Sequence, residues 1–236
     1  MMKKIILFLM VLSFILPFSA VYFKIGDYYT LGNANYVAMS DNIVYVAANY
    51  GGLQIIDVSN PQNPALLGSY DTPNLANFVT VSNNIAYVAD YYAGLQIIDV
   101  SNPQNPALLG SYDTPGYAYS VFVSNNIAYV ADYIAGLQII DISNSHNPIL
   151  IGSYDTLEAA YSVTVSNNIA YVAASGGLQI IDVSNPQNPS LLGSYDTPTN
   201  SYSVFVSNNI AYIADSFVDL QIIYVSNPHN PTLRGS

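Results

Sequence analysis

The ten residues Gly94-Leu95-Gln96-Ile97-Ile98-Asp99-Val100-Ser101-Asn102-Pro103 decide the fold, because they recur. Leu-Gln-Ile-Ile begins at Leu53, Leu95, Leu137, Leu178 and Leu220, in steps of 42, 42, 41 and 42 residues. Ser-Tyr-Asp-Thr recurs in the same frame, from Ser69, Ser111, Ser153 and Ser194. The one lost residue falls in the loop Ala174-Ser175-Gly176-Gly177, and the frame is restored after it. A deletion confined to a turn marks the unit as structural.

Working outward from this stretch, one copy holds four strand candidates. Tyr119 to Ser124 alternates and is rich in β-branched and aromatic residues. Asn125-Asn126, a pair that tolerates φ > 0, suits a two-residue hairpin turn. Ile127 to Ala131 is the second strand, and a loop ending at Gly136 leads to the third, Leu137 to Ile142. The turn Ser143 to Pro148 then delivers the chain to Ile149–Thr156. The third strand is apolar on nearly every residue, whereas a sheet with one wet face should alternate. Burial on both faces is what a blade sandwiched between two others requires. Four short strands in about 42 residues predict an all-β fold, a β-propeller of four-stranded blades with five repeats. A β-solenoid would use shorter coils, and an immunoglobulin-like array needs about 100 residues per domain.

Gly94 to Pro103 resembles the core of the LVIVD repeat, and the likeness extends over about residues 22–236. That resemblance implies bacterial or archaeal surface-exposed proteins built as β-propellers, with no characterised molecular activity. WD40 is a poor match, since the chain has no Trp. Copy five departs from the pattern, with Asp219 for the loop glycine and Tyr224 for the strand-end aspartate.

Charged residues make up only 8% of the chain, so its surface must be made polar by Asn, Ser, Gln, Thr and Tyr. Without Cys there are no disulfides, no thiol catalysis and no thiolate metal site. Fifteen acidic residues face four basic ones, two of them Lys3 and Lys4 at the extreme N-terminus. Such a surface repels phosphate backbones and anionic lipid, which excludes nucleic acid as a partner. Lys3-Lys4, the apolar run Ile5–Leu16 and the small residues before Val21 read as a signal peptide over residues 1–20. The run is shorter than the roughly 20 residues of a membrane span. The expectation is therefore a secreted or cell-surface domain over 21–236, with no membrane insertion after cleavage; an uncleaved anchor is the other reading.

Resemblance to other propellers with an apolar inner strand implies Tyr119–Ser124 innermost and Ile149–Thr156 outermost, and antiparallel order then places connectors such as Pro115–Ala118 beside the loops before Leu-Gln-Ile-Ile. The Asn-Asn and Ser-Asn-Pro turns fall on the opposite face. That second face barely changes between copies, as turn geometry demands. The first varies, and it carries the candidate interaction surface Tyr50, Tyr91, Tyr92, Tyr117, Tyr133, Glu158 and Phe217. Variable loops on a rigid scaffold carry function, and Tyr gives a large contact at low entropy cost. These tyrosines simply covering blade edges is the competing reading.

The ends raise a separate expectation. Phe23–Thr30 aligns with an outermost strand, and Pro231–Ser236 begins another. Both cannot fill one position, which suggests further blades beyond Ser236, with a five-bladed ring as the alternative.

Asp57, Asp99, Asp141 and Asp182 end the third strands, where a carboxylate bonds to amides of the following turn. Asp71, Asp113, Asp155 and Asp196 suit a similar role. No loop clusters carboxylates as calcium requires, and His146 and His229 stand at the repeat position of Gln62, Gln104 and Gln187. No cofactor, metal or catalytic residue is therefore expected, and no hydrolase or phosphate-loop motif occurs. The function expected is an exported, non-catalytic scaffold for an unknown protein or glycan. The alternative is a carbohydrate-active or other hydrolytic propeller, which needs two carboxyl groups about 5–10 Å apart; Glu158 and Asp219 are the pair to inspect.

Overall fold

Asn125 and Asn126 take φ values of 50° and 62°, and the pairs Asn83-Asn84, Asn167-Asn168 and Asn208-Asn209 repeat this geometry. Two successive positive φ angles turn the chain in register with the twist of the flanking strands. The first two strands of each copy therefore form a tight hairpin, and the rest of the blade grows from it. The computed structural model describes Lys4–Ile6, residues 24–217 and residues 219–235. The segment read as a leader lies outside these residues, apart from the backbone of Lys4–Ile6.

A two-stranded sheet pairs β1 (Lys4–Ile6) with β2 (Asp27–Tyr29). Five four-stranded antiparallel sheets follow, each in chain order. Blade one holds β3 (Tyr36–Ser40), β4 (Ile43–Ala47), β5 (Leu53–Asp57) and β6 (Ala65–Tyr70). Blade two holds β7 (Phe78–Ser82), β8 (Ile85–Ala89), β9 (Leu95–Asp99) and β10 (Ala107–Tyr112). Blade three comprises β11 (Ser120–Ser124), β12 (Ile127–Ala131), β13 (Leu137–Asp141) and β14 (Ile149–Tyr154). Blade four comprises β15 (Ala160–Ser166), β16 (Ile169–Ala174), β17 (Gly177–Asp182) and β18 (Ser190–Asp196). Blade five is β19 (Ser201–Ser207), β20 (Ile210–Asp215), β21 (Asp219–Tyr224) and β22 (Thr232–Gly235).

The first strands of neighbouring blades touch one another, β3 with β7, β7 with β11, β11 with β15 and β15 with β19, so they line the axis. The architecture is a β-propeller with the expected blade phase. The outermost strand of blade three ends at Tyr154 rather than Thr156, because Thr156 turns inward and donates its hydroxyl to the Glu158 carbonyl.

The apolar third strand is buried on both faces, as its composition requires. Leu53 and Ile55 of blade one pack with Ala86, Val88, Ile98 and Val100 of blade two. The same nesting joins blades two to three, three to four and four to five. Each fully buried Leu or Ile stabilises the fold by about 1.5–3 kcal/mol. The polar residue inside this strand is also accounted for. Gln96 and Gln138 donate their side-chain amides to the carbonyls of Ala93 and Ala135, and Gln54 and Gln179 reach Leu31 and Thr156.

Outer strands pack on the turn of the next blade through a glycine. A Cβ on Gly110 would stand 2.3 Å from the Ser145 carbonyl oxygen, and one on Gly68 2.4 Å from that of Pro103. Gly26 has the same relation to the Pro61 carbonyl of blade one, at 1.8 Å. Residues 24–30 thus occupy an outermost-strand position against blade one, where Tyr28 joins Val44, Val46, Ile56 and Val58. In blade five that position is filled by β22, paired with β21. On the last face of blade five Phe205 is 63% and Leu220 45% exposed, whereas Leu137, the equivalent of Leu220 in blade three, is fully buried. No helix among the described residues is long and apolar enough to cross a membrane.

Candidate functional site

The site begins where the loop before each third strand meets the connector to the next blade. Asn49 pairs with Ala76, Tyr91 with Ala118 and Tyr133 with Ala160 through short antiparallel bridges. These bridges set loop and connector on one face, as the blade phase predicts. Asn49, Tyr91 and Tyr133 all have positive φ, 54°, 47° and 51°. Asn adopts that backbone readily, but a tyrosine there is strained, and such strain clusters at binding sites.

A buried carboxylate holds the two segments together. The Thr114 hydroxyl donates to Asp132 Oδ1 at 2.6 Å, and the Gly116 amide donates to Oδ2 at 2.8 Å. Thr72 and the Asn74 amide bond Asp90 in the same way. Burial pushes both carboxyl groups up to about 6, against the pull of these hydrogen bonds. Sequence reading weighed nine other aspartates and missed these two. The signal was the repeat position itself, which is Ala48 in blade one and Ala174 in blade four but Asp in blades two, three and five.

The clamped segments present tyrosines that touch in an unbroken chain. Tyr92 meets Tyr117 at 4.5 Å between ring centroids, and Tyr117 stacks on Tyr133 at 5.4 Å. Tyr133 contacts Tyr119, Tyr119 contacts Tyr161, and Tyr161 contacts Tyr202 at 4.9 Å. Four of the expected residues, Tyr91, Tyr92, Tyr117 and Tyr133, are therefore brought together. Burial foremost, then the neighbouring hydroxyls of Tyr91, Tyr133 and Tyr161, push Tyr119 up to about 12. Tyr117 is also raised, chiefly by its hydrogen bond with Tyr92. Both stay neutral at physiological pH, able to donate as well as accept.

The chain of rings ends in a cavity of about 460 Å³ at the mouth of the central channel. All five first strands contribute to it. The position before the inward Ser or aromatic is Asn35 and Asn77 in blades one and two, and Tyr119, Tyr161 and Tyr202 in blades three to five. Asn35 donates to the Ala76 carbonyl and to Asn77 Oδ1, while Tyr36 stacks on Phe78 at 3.7 Å. Sequence reading placed the first strands innermost but named none of these residues as part of a site.

The other expected site residues lie around this centre. Tyr50, 79% exposed, shares a second cavity of about 540 Å³ with Tyr92, Asp71 and Asn74. Phe217 is exposed in blade five. Glu158 is exposed on the connector into blade four, beside Gly176. The side chain of Asp219 lies outside the described residues. Asp57, Asp99, Asp141 and Asp182 each accept the amide two residues on, from Ser59, Ser101, Ser143 and Ser184, at 2.8 Å. Those backbone bonds hold the four carboxyl groups below their ordinary range. Asp155 caps its turn through the Leu157 amide. The amides of His146 and His229 bond Asn144 and Asn227 as those of Gln62, Gln104 and Gln187 bond their asparagines, so both are turn residues. Among the described residues no group of three or more His, Asp or Glu stands close enough to hold a metal ion.

Five blades, a common axis and a mouth lined from every first strand define the class as a β-propeller presenting a loop face. The LVIVD repeat model matches at residues 31–72, 75–114, 115–156, 159–197 and 199–236. The chain belongs to the LVIVD repeat family. No curated protein sequence matches it. Among solved structures it is similar to a functionally unknown protein from Desulfotomaculum acetoxidans DSM 771, at 14% identity and a TM-score of 0.71, covering 89% of this chain and 71% of that one. It is also similar to the β-propeller domain of Cps50 (Swd1) from Myceliophteria thermophila, at 11% identity and 0.68, covering 86% and 72%. The computationally designed Ika8 protein matches at 16% identity and 0.69 over 86% of this chain, which spans 62% of the designed one. These likenesses concern the fold.

Proposed function

We propose that this chain is an exported, non-catalytic scaffold that binds a protein or glycan partner through its tyrosine-bearing loop face. The observation that carries this reading is the continuous contact chain from Tyr92 through Tyr117, Tyr133, Tyr119 and Tyr161 to Tyr202. Rings fixed by one another expose apolar faces and hydroxyls at little further cost in side-chain entropy. Strained backbone at Tyr91 and Tyr133 points the same way, since asparagine at the equivalent position of blade one would relieve it. Export rests on the leader-like residues 1–20, and the family resemblance agrees with a surface location.

The test is capture of cell-surface proteins and glycans on the immobilised protein. Partners bound by the native chain should be lost when Tyr91, Tyr92 and Tyr133 are changed together to Ala. Undiminished capture by that triple variant would sink the assignment of the face.

A further inference from the structure

Resting on that reading of the face, we infer that the channel mouth is a subsite for one segment of a neutral polysaccharide chain. Its two walls differ in chemistry. Blades one and two line it with Asn35, Asn49 and Asn77, whereas blades three to five line it with Tyr119, Tyr161 and Tyr202. A sugar ring has the matching pair of surfaces, a C–H face for an aromatic ring and a rim of hydroxyls that both donate and accept. The cavity, about 460 Å³, falls in the roughly 300–1,000 Å³ range of ligand sites.

Asn49 supplies an independent observation. Its Oδ1 is buried and has no hydrogen-bond partner, although its backbone is bridged to Ala76. A buried acceptor left unpaired costs about 1–3 kcal/mol. Turning the Asn49 side chain toward the cavity it lines would let Oδ1 accept from a ligand hydroxyl and remove that cost.

Charge decides which polysaccharide. Among the described residues no Asp, Glu, Lys or Arg lines the mouth. Of the cations with described side chains, Lys24 is paired with Asp27 at 2.8 Å and Arg234 lies over Tyr224 in blade five. An anionic glycan would therefore approach a protein of net charge −11 whose mouth, among the described residues, holds no cation to receive it. A neutral chain meets no such penalty, and the tyrosines leading from Tyr92 to the mouth provide its track.

The experiment titrates the full chain with neutral hexamers of glucose, xylose and mannose, with oligogalacturonate as the anionic control, followed by calorimetry and tyrosine fluorescence. At least one neutral hexamer should bind. Tyr161→Ala should weaken it about tenfold or more, the loss of a ring contact of about 1.4 kcal/mol. Tyr161→Phe, which keeps the ring, should stay within about threefold, a change under 1 kcal/mol. Melting curves of both variants report whether the fold is intact. The inference is overturned if no neutral hexamer binds, if oligogalacturonate binds as well, or if folded Tyr161→Ala binds normally. Partner capture that depends on Tyr91, Tyr92 and Tyr133 without any sugar binding would overturn this inference and leave the loop face standing.

Discussion

Asp132 and Thr114, eighteen residues apart, meet at 2.6 Å in the interior and tie the end of blade two to the second strand of blade three. Because Asp132 also accepts the Gly116 amide, one carboxylate fixes the connector that carries Tyr117 beside the loop that carries Tyr133. Changing Asp132 to Ala leaves two donors without their acceptor. It should lower stability by about 1–3 kcal/mol in urea unfolding and weaken partner capture beyond any change in folded fraction. Unchanged stability would show that the clamp contributes nothing.

The same carboxylates set a pH dependence. Asp90 and Asp132 sit at about 6 in the folded chain against 3.8 for a free aspartate, because burial penalises the charged form. The folded state therefore binds more protons between these values. Their contribution is fully present below 3.8 and is lost as pH rises through about 6. Asp57, Asp99, Asp141 and Asp182 act in the opposite sense, since turn amides lower them, and their contribution is lost as pH falls below 3.8. The melting temperature should peak between about pH 4 and 5 and decline toward pH 7. Asp90→Asn with Asp132→Asn should flatten the upper limb. A native chain that melts higher at pH 7 than at pH 5 would contradict this.

Leu157 offers a stabilising change. It has φ of 59° and is 87% exposed, so its side chain packs little while its backbone sits in the left-handed region. Leu157→Gly or Leu157→Asn should raise stability by about 1 kcal/mol. Chemical denaturation decides it, and a loss of stability would mean that the side chain is held by a contact outside blade three.

Gly110 is the converse case. A Cβ there meets the Ser145 carbonyl oxygen at 2.3 Å and the His146 backbone at 3.1 Å, so no flexible side chain can give way. Gly110→Ala should cost about 1–3 kcal/mol and leave the secondary structure seen by circular dichroism intact. An unchanged melting temperature would show that the blade-two outer strand slides freely on blade three.

The blades were legible because each rests on local chemistry. Asn-Asn turns need positive φ, Leu-Gln-Ile-Ile needs burial on two faces, and the 42-residue frame carries both at once. Tyr91, Tyr92, Tyr117 and Tyr133 were legible as a surface because their repeat positions vary. Asn35, Asn77, Tyr161 and Tyr202 were not, because nothing marks strand-end residues as sharing a cavity until five first strands converge on one axis. Asp90 and Asp132 escaped for a related reason. Their partners Thr72 and Thr114 belong to the preceding copy, and no period within one copy joins them.

The amino-acid sequence by itself determined the blade, its four strands, its turns and the side on which variation is concentrated, since all of these follow from spacing within one repeat. Only the tertiary structure decided which residues of different repeats share a cavity, which carboxylates are buried, and that Gly26 packs on blade one as Gly68 packs on blade two. Those relations depend on how blades nest, and nesting is set by contacts about one full repeat apart, where the pattern within a single repeat carries no signal.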